Sequence, residues 1–158
     1  MDAHRGMADA GRERVGELVL GAFDAFLAQA EQVDLSTPTR LPGWRAQEVC
    51  VHLGIWPDRA ALAGLVADAR AGGTGTPSDP DASNARVTAA HRDATRTEVL
   101  AALARNREAT VAYLRDEPLE LDTAPTVSTV GTLPMLSVVL GQAYELAVHG
   151  LDLSLIHI

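Results

Sequence analysis

Val15-Gly16-Glu17-Leu18-Val19-Leu20-Gly21-Ala22-Phe23-Asp24-Ala25-Phe26-Leu27 sets apolar side chains at Val15, Leu18, Val19, Ala22, Phe23, Phe26 and Leu27, a three-four alternation over four turns. The spacing predicts an amphipathic helix with one buried stripe. The rest of the chain points the same way. Its 158 residues fit one domain, and with 47% hydrophobic but only 4% aromatic residues the core must consist mainly of aliphatic side chains on helices. A β-sandwich is disfavoured, and so is a disordered chain, because enough apolar material is present to close a core.

Outward from this helix, Leu35-Ser36-Thr37-Pro38 and Leu41-Pro42-Gly43 carry turn chemistry that stops it. A second helix is predicted from Trp44 or Arg45, with Val49, His52, Leu53 and Trp56 on one stripe and Pro57 kinking or restarting it. Ala71 to Ser83, rich in Gly, Thr, Pro, Ser and Asp, reads as a mobile surface loop. Asn84 to Arg92 reads as helical. Thr95 to Glu98 has the form of a capping box opening a further helix, with Leu100, Leu103, Val111 and Leu114 on its buried face. Asp116 to Gly131 is expected to be a long irregular or partly extended crossover, with no convincing strand pattern. A last long helix follows from about Pro134 to Asp152, with the proline in its first turn. The expected architecture is an all-α four-helix bundle with one long crossover connection.

The formal charge of −8 comes from 21 acidic residues against 13 basic ones, every one an arginine. No basic stripe is present, which argues against nucleic acid as a partner. A single cysteine, Cys50, excludes an intramolecular disulfide and a zinc ribbon, and it fits a reducing, cytoplasmic setting. No run approaches the ~18 apolar residues of a membrane span, and the first residues lack the apolar centre of a signal peptide.

Chemistry-bearing residues concentrate on two helices. Gln142, Glu145, His149 and Asp152 form one polar stripe on the last helix, and the four-residue step from Glu145 to His149 puts a carboxylate and an imidazole on one side, as two ligands of one divalent metal require. The same stripe also describes the solvent side of an amphipathic helix. His52 lies on a face that should point inward, where a satisfied core histidine is the ordinary occupant. If the second and last helices are neighbours, His52, Glu145 and His149 form a two-histidine, one-carboxylate set that leaves a coordination position open. Spacing alone does not separate these alternatives. Cys50 reads as a small buried residue or inert thiol, His91 as solvent-exposed, and Trp44 and Trp56 as packing anchors or pocket walls. Neither a phosphate loop nor a serine nucleophile motif is present.

Leu41-Pro42-Gly43-Trp44 leading into Val49-x-x-His52-Leu53, then Asn84-Ala85-Arg86, Val130-Gly131-Thr132-Leu133-Pro134 and Tyr144 to Asp152 together make the chain resemble, over roughly residues 10–152, the mycothiol-dependent maleylpyruvate isomerase family of the DinB-like superfamily. The resemblance implies a DinB-like four-helix bundle and a zinc held by His52, Glu145 and His149. It implies mycothiol as a small-molecule thiol partner and an electrophilic substrate. The external thiolate, rather than a side chain of this protein, is then the nucleophile: it adds to an activated cis double bond, the resulting single bond rotates, and elimination leaves the trans isomer. The same thiolate could remain attached, as in a thiol S-transferase, and a non-catalytic metal-binding helical module is a further alternative. Asp152 is a candidate to orient His149, and Arg45 and Arg59 are candidates to meet an acidic substrate. Pro57 departs from the family pattern just past His52.

Leu153-Ser154-Leu155-Ile156-His157-Ile158 matches the translation of CTGTCTCTTATACACATC, which resembles a transposon-end sequencing adaptor. The expectation is therefore a metal-binding helical domain over 1–152, an adaptor-derived tail over 153–158, and a missing C-terminal domain of the kind that full-length isomerases carry.

Overall fold

A computed structural model describes residues 11–55 and 61–154 of the chain. Helix α1 spans Gly11–Gln32 and buries Val15, Val19, Phe23, Phe26 and Ala30. At ~100° per residue these five fall within one arc of about 80°. Leu18 lies some 60° outside that arc and is exposed, so the buried stripe is narrower than the sequence suggested. The following loop turns on Gly43, whose φ of +78° suits a residue without Cβ, and is tied by a bridge between Pro38 and Arg45.

Helix α2 covers Ala46–Gly54, opened by Glu48, whose carboxylate accepts the Arg45 backbone N–H at 2.8 Å. A separate helix α3 runs over Leu62–Arg70, so the expected second helix is two pieces. Trp56, Pro57 and Arg59 lie outside the described residues. Gly54 packs so closely on the next long helix that an added Cβ would meet the Leu103 backbone nitrogen at 2.9 Å.

Helix α4 spans Pro80–Ala90 and begins four residues before the predicted Asn84. Asp79 accepts from the Asp81 and Ala82 N–H groups, and Pro80 occupies the first turn. That N-cap chemistry was hidden in a loop-like composition. The expected mobile loop is therefore shorter, and it is anchored where Asp68 accepts the Gly75 N–H at 2.8 Å. Helix α5, Arg96–Asp116, opens with the predicted capping box: Glu98 accepts the Thr95 N–H at 2.7 Å. His91 is half-buried rather than exposed, because its Nδ1 donates to the Val87 carbonyl at 2.9 Å.

The crossover contains a 3-10 turn at Leu119–Thr123 and an antiparallel hairpin of β1, Pro125–Ser128, with β2, Gly131–Pro134. A strand signal was not legible because each strand has only four residues and the ribbon is bounded by a Pro125–Pro134 pair, neither of which can donate to a ladder. Pro134 thus closes β2 instead of opening a helix. The buried Thr126 hydroxyl donates to the Leu65 carbonyl at 2.9 Å, and the Val127 N–H donates to Asp68 at 2.7 Å, which docks the hairpin on α3. Helix α6 then runs over Met135–Ser154, two residues past Asp152, and buries Leu153.

Helices α1, α5, α2 and α6 pack as a closed ring, each against the next, with α6 returning to α1. This is the expected four-helix bundle, and it makes α2 and α6 neighbours. Among the described residues no helix is long and apolar enough to cross a membrane.

Candidate metal centre

The contact between α2 and α6 brings His52 and the polar stripe of the last helix together. His52 is in the last turn of α2 and is 9% exposed, beside the buried Val49 and Leu53. The polar stripe of α6 faces it rather than solvent. Asp152 is 1% exposed, whereas Tyr144 and Leu151 on the same helix point outward. Gln142 belongs to the stripe but not to the site, because its side-chain oxygen accepts the Thr110 hydroxyl at 3.0 Å.

His52 Nε2 and His149 Nε2 each lie 3.5 Å from Glu145 Oε2, and the donor atoms of the three residues all fall within 4.8 Å of one another. The two imidazole rings are nearly perpendicular, with centroids 5.0 Å apart. For comparison, two ligand atoms bound at 2.0–2.1 Å to one tetrahedral ion are about 3.3 Å apart. The outer nitrogens are engaged as well. His52 Nδ1 donates to Asn84 Oδ1 at 3.0 Å and His149 Nδ1 donates to Asp152 Oδ2 at 2.8 Å. Each bond places a proton on Nδ1 and aims Nε2 at Glu145, the outer hydrogen bond that metal-ligating histidines make.

Three lone-pair donors aimed at one point attract a cation. Hydrogen bonds from the His149 and His52 imidazoles hold the Glu145 carboxyl down at about 2. Burial pushes the His149 imidazole down, but bonding to Glu145 and Asp152 outweighs it and the net shift is upward. The donor set and its spacing fit a divalent metal ion.

Two further residues touch the site, Trp44, which the sequence offered as a packing anchor or pocket wall, and Arg40, which spacing did not reveal. Trp44 packs edge-on against the His52 ring with centroids 5.6 Å apart, and Arg40 Nε donates to Asp152 Oδ1. Asn84 and Arg40 come from segments far from the ligands, so only the packed bundle identifies them. Arg45 is paired with Glu48 at 2.6 Å and is not aimed at the donors. Cys50 is fully buried, and burial pushes its thiol up to about 12, which makes it inert as a nucleophile. An apolar groove lined by Gly16, Leu20, Leu114 and Leu119 contains none of the three donors.

Residues 17–154 match the family model of the mycothiol maleylpyruvate isomerase N-terminal domain. No curated protein sequence matches the chain. Two solved structures share its fold. A crystal structure of a histidine-to-alanine mutant of the mycothiol-dependent maleylpyruvate isomerase superposes with a TM-score of 0.75 at 18% identity. A second crystal structure of the mycothiol-dependent maleylpyruvate isomerase does so with a TM-score of 0.71 at 21% identity. In both cases 93% of this chain is covered, and it spans 62% of the length of the solved chain.

Proposed function

The chain belongs to the mycothiol maleylpyruvate isomerase N-terminal domain family, and from that membership we propose that it is the metal-binding domain of a mycothiol-dependent enzyme of the maleylpyruvate isomerase type, with His52, Glu145 and His149 as the ligands of a zinc ion. One observation carries this reading: both imidazoles donate outward through Nδ1 and present Nε2 to the same carboxylate oxygen.

When bound, the metal would supply a Lewis acid that keeps a thiol ionised near neutral pH, and mycothiol the sulfur that adds reversibly to an activated double bond. The protein's own residues bind and orient. Glu145, whose side chain is 40% exposed, opens the site on its outer side, while His52 and His149 wall it on the bundle side. Asn84 and Asp152 hold the two ring protons at Nδ1, so that coordination at Nε2 displaces only the proton shared with Glu145. Trp44 packs edge-on against the His52 ring and helps to hold it.

Metal analysis of the purified protein tests the ligand set: about one zinc per chain is expected, and a His52→Ala variant should lose it. A metal-free wild type refutes the reading. Thiol-dependent conversion of maleylpyruvate, followed by product identity, then separates an isomerase from an S-transferase that retains the thiol adduct. A second reading is a metal-binding module without turnover of its own. It predicts stoichiometric zinc with no turnover.

A further inference from the structure

The loop between α1 and α2 reaches the outer side of both histidines. Trp44 stands against the His52 ring, and four residues earlier Arg40 Nε donates to Asp152 Oδ1. The other carboxylate oxygen, Asp152 Oδ2, accepts from His149 Nδ1 at 2.8 Å. Arg40, Asp152 and His149 therefore form a relay of two hydrogen bonds that ends at a proposed ligand.

The two ends of this relay differ in environment. Asp152 is 1% exposed, whereas the Arg40 side chain is 51% exposed. A carboxylate so deeply buried requires a compensating cation and a partner for each oxygen, and Arg40 supplies both to Oδ1. The arginine also departs from a fixed base. The Thr39 N–H and hydroxyl both donate to the Trp44 carbonyl at 2.9 Å, the Thr39 hydroxyl oxygen accepts the Leu41 N–H at 3.2 Å, and the Trp44 N–H donates to the Leu41 carbonyl at 3.0 Å. The loop is a small closed ring of bonds from which Arg40 projects toward the C-terminal half of α6.

We propose that Arg40 is a positioning residue of the metal centre: by clamping Asp152 it holds the His149 ring with its proton on Nδ1 and its lone pair on the metal side. The proposal deepens the metal-centre reading and rests on it. Without the guanidinium, the Asp152 carboxylate loses the partner on Oδ1 and can rotate away from the plane that His149 requires. The ring is then free to turn or change tautomer, and Nε2 no longer meets Glu145. Because Arg40 is joined to His149 through Asp152, its effect on the site passes through that ring.

The test compares wild type, Arg40→Ala and Arg40→Lys in two measurements. Competition with a chromogenic chelator reads zinc affinity, and 15N–1H correlation spectra of the metal-free proteins read the His149 side-chain tautomer. Arg40→Ala should lower zinc affinity by about 10–100-fold, as loss of an outer partner of a ligand does. It should also abolish the protected Nδ1–H signal of His149. Arg40→Lys, which keeps the charge and a donor, should recover both in part, and it decides the matter if the alanine variant does not fold. Unchanged affinity with an unchanged His149 signal overturns the proposal. So does an affinity loss with the signal intact, since the effect would then not run through His149. If wild type takes up no zinc, the metal reading fails by itself, and the tautomer signal alone still decides the role of Arg40.

Discussion

Asn84 on α4 holds His52 on α2 through a 3.0 Å bond to Nδ1, an outer contact supplied by a helix that contributes no metal ligand. Replacing Asn84 with alanine removes that acceptor, and zinc affinity is expected to fall by about tenfold, the low end for an outer partner, because Trp44 still packs against the ring. Asn84→Asp keeps an acceptor and should retain wild-type affinity. Chelator competition on the three proteins checks both outcomes.

Gly54 closes α2 two residues after His52, where an added Cβ would meet the Leu103 nitrogen at 2.9 Å and the Ala102 carbonyl carbon at 3.2 Å. Backbone atoms of a packed helix cannot yield as a side-chain end can. Gly54→Ala should therefore cost about 1–3 kcal/mol of stability in urea unfolding. It should also weaken zinc binding, because relief of the clash displaces the turn that carries His52.

Asp68 accepts from the Val127 N–H, the Gly75 N–H and the Thr126 hydroxyl, and these bonds, the one from Val127 foremost, hold its carboxyl below the usual carboxylate range. The folded state thus binds this proton less readily than the unfolded state. The resulting stabilisation is complete above the ordinary aspartate value of about 3.9 and is lost as pH falls through the lower folded value. Thermal melts should show Asp68→Asn less stable than wild type at pH 6, with the gap narrowing toward pH 3.

Cys50 should not react with a disulfide reagent at pH 8 in the native state and should react fully in denaturant, as follows from its burial and raised thiol. Cys50→Ala should leave zinc stoichiometry unchanged. A thiol titration in the two conditions is sufficient.

Helix α1, the capping box at Thr95 and the body of α6 were legible because periodicity and cap chemistry are local. The start of α4 was not, since Asp79-Pro80 sits in a stretch whose composition resembles a loop. The candidate ligands were legible as residue types at a helical spacing, but not as a site. A polar stripe on α6 looks the same whether it faces water or a neighbouring histidine, and the outward placement of Tyr144 and Leu151 runs against the usual hydrophobic-inside pattern. The contact between α2 and α6 settled its direction. Arg40 had no local signal, because its partner lies 112 residues away along the chain.

His52 precedes Glu145 by 93 positions, the difference between the two residue numbers. An ion shared by them would act as a removable cross-link, closing a ring that contains α3, α4, α5 and the hairpin. The gain from such a link grows with free metal concentration over the dissociation constant. The lifetime of the folded protein against unfolding and proteolysis would then follow the supply of zinc, and a chelator would shorten it before any chemistry is assayed.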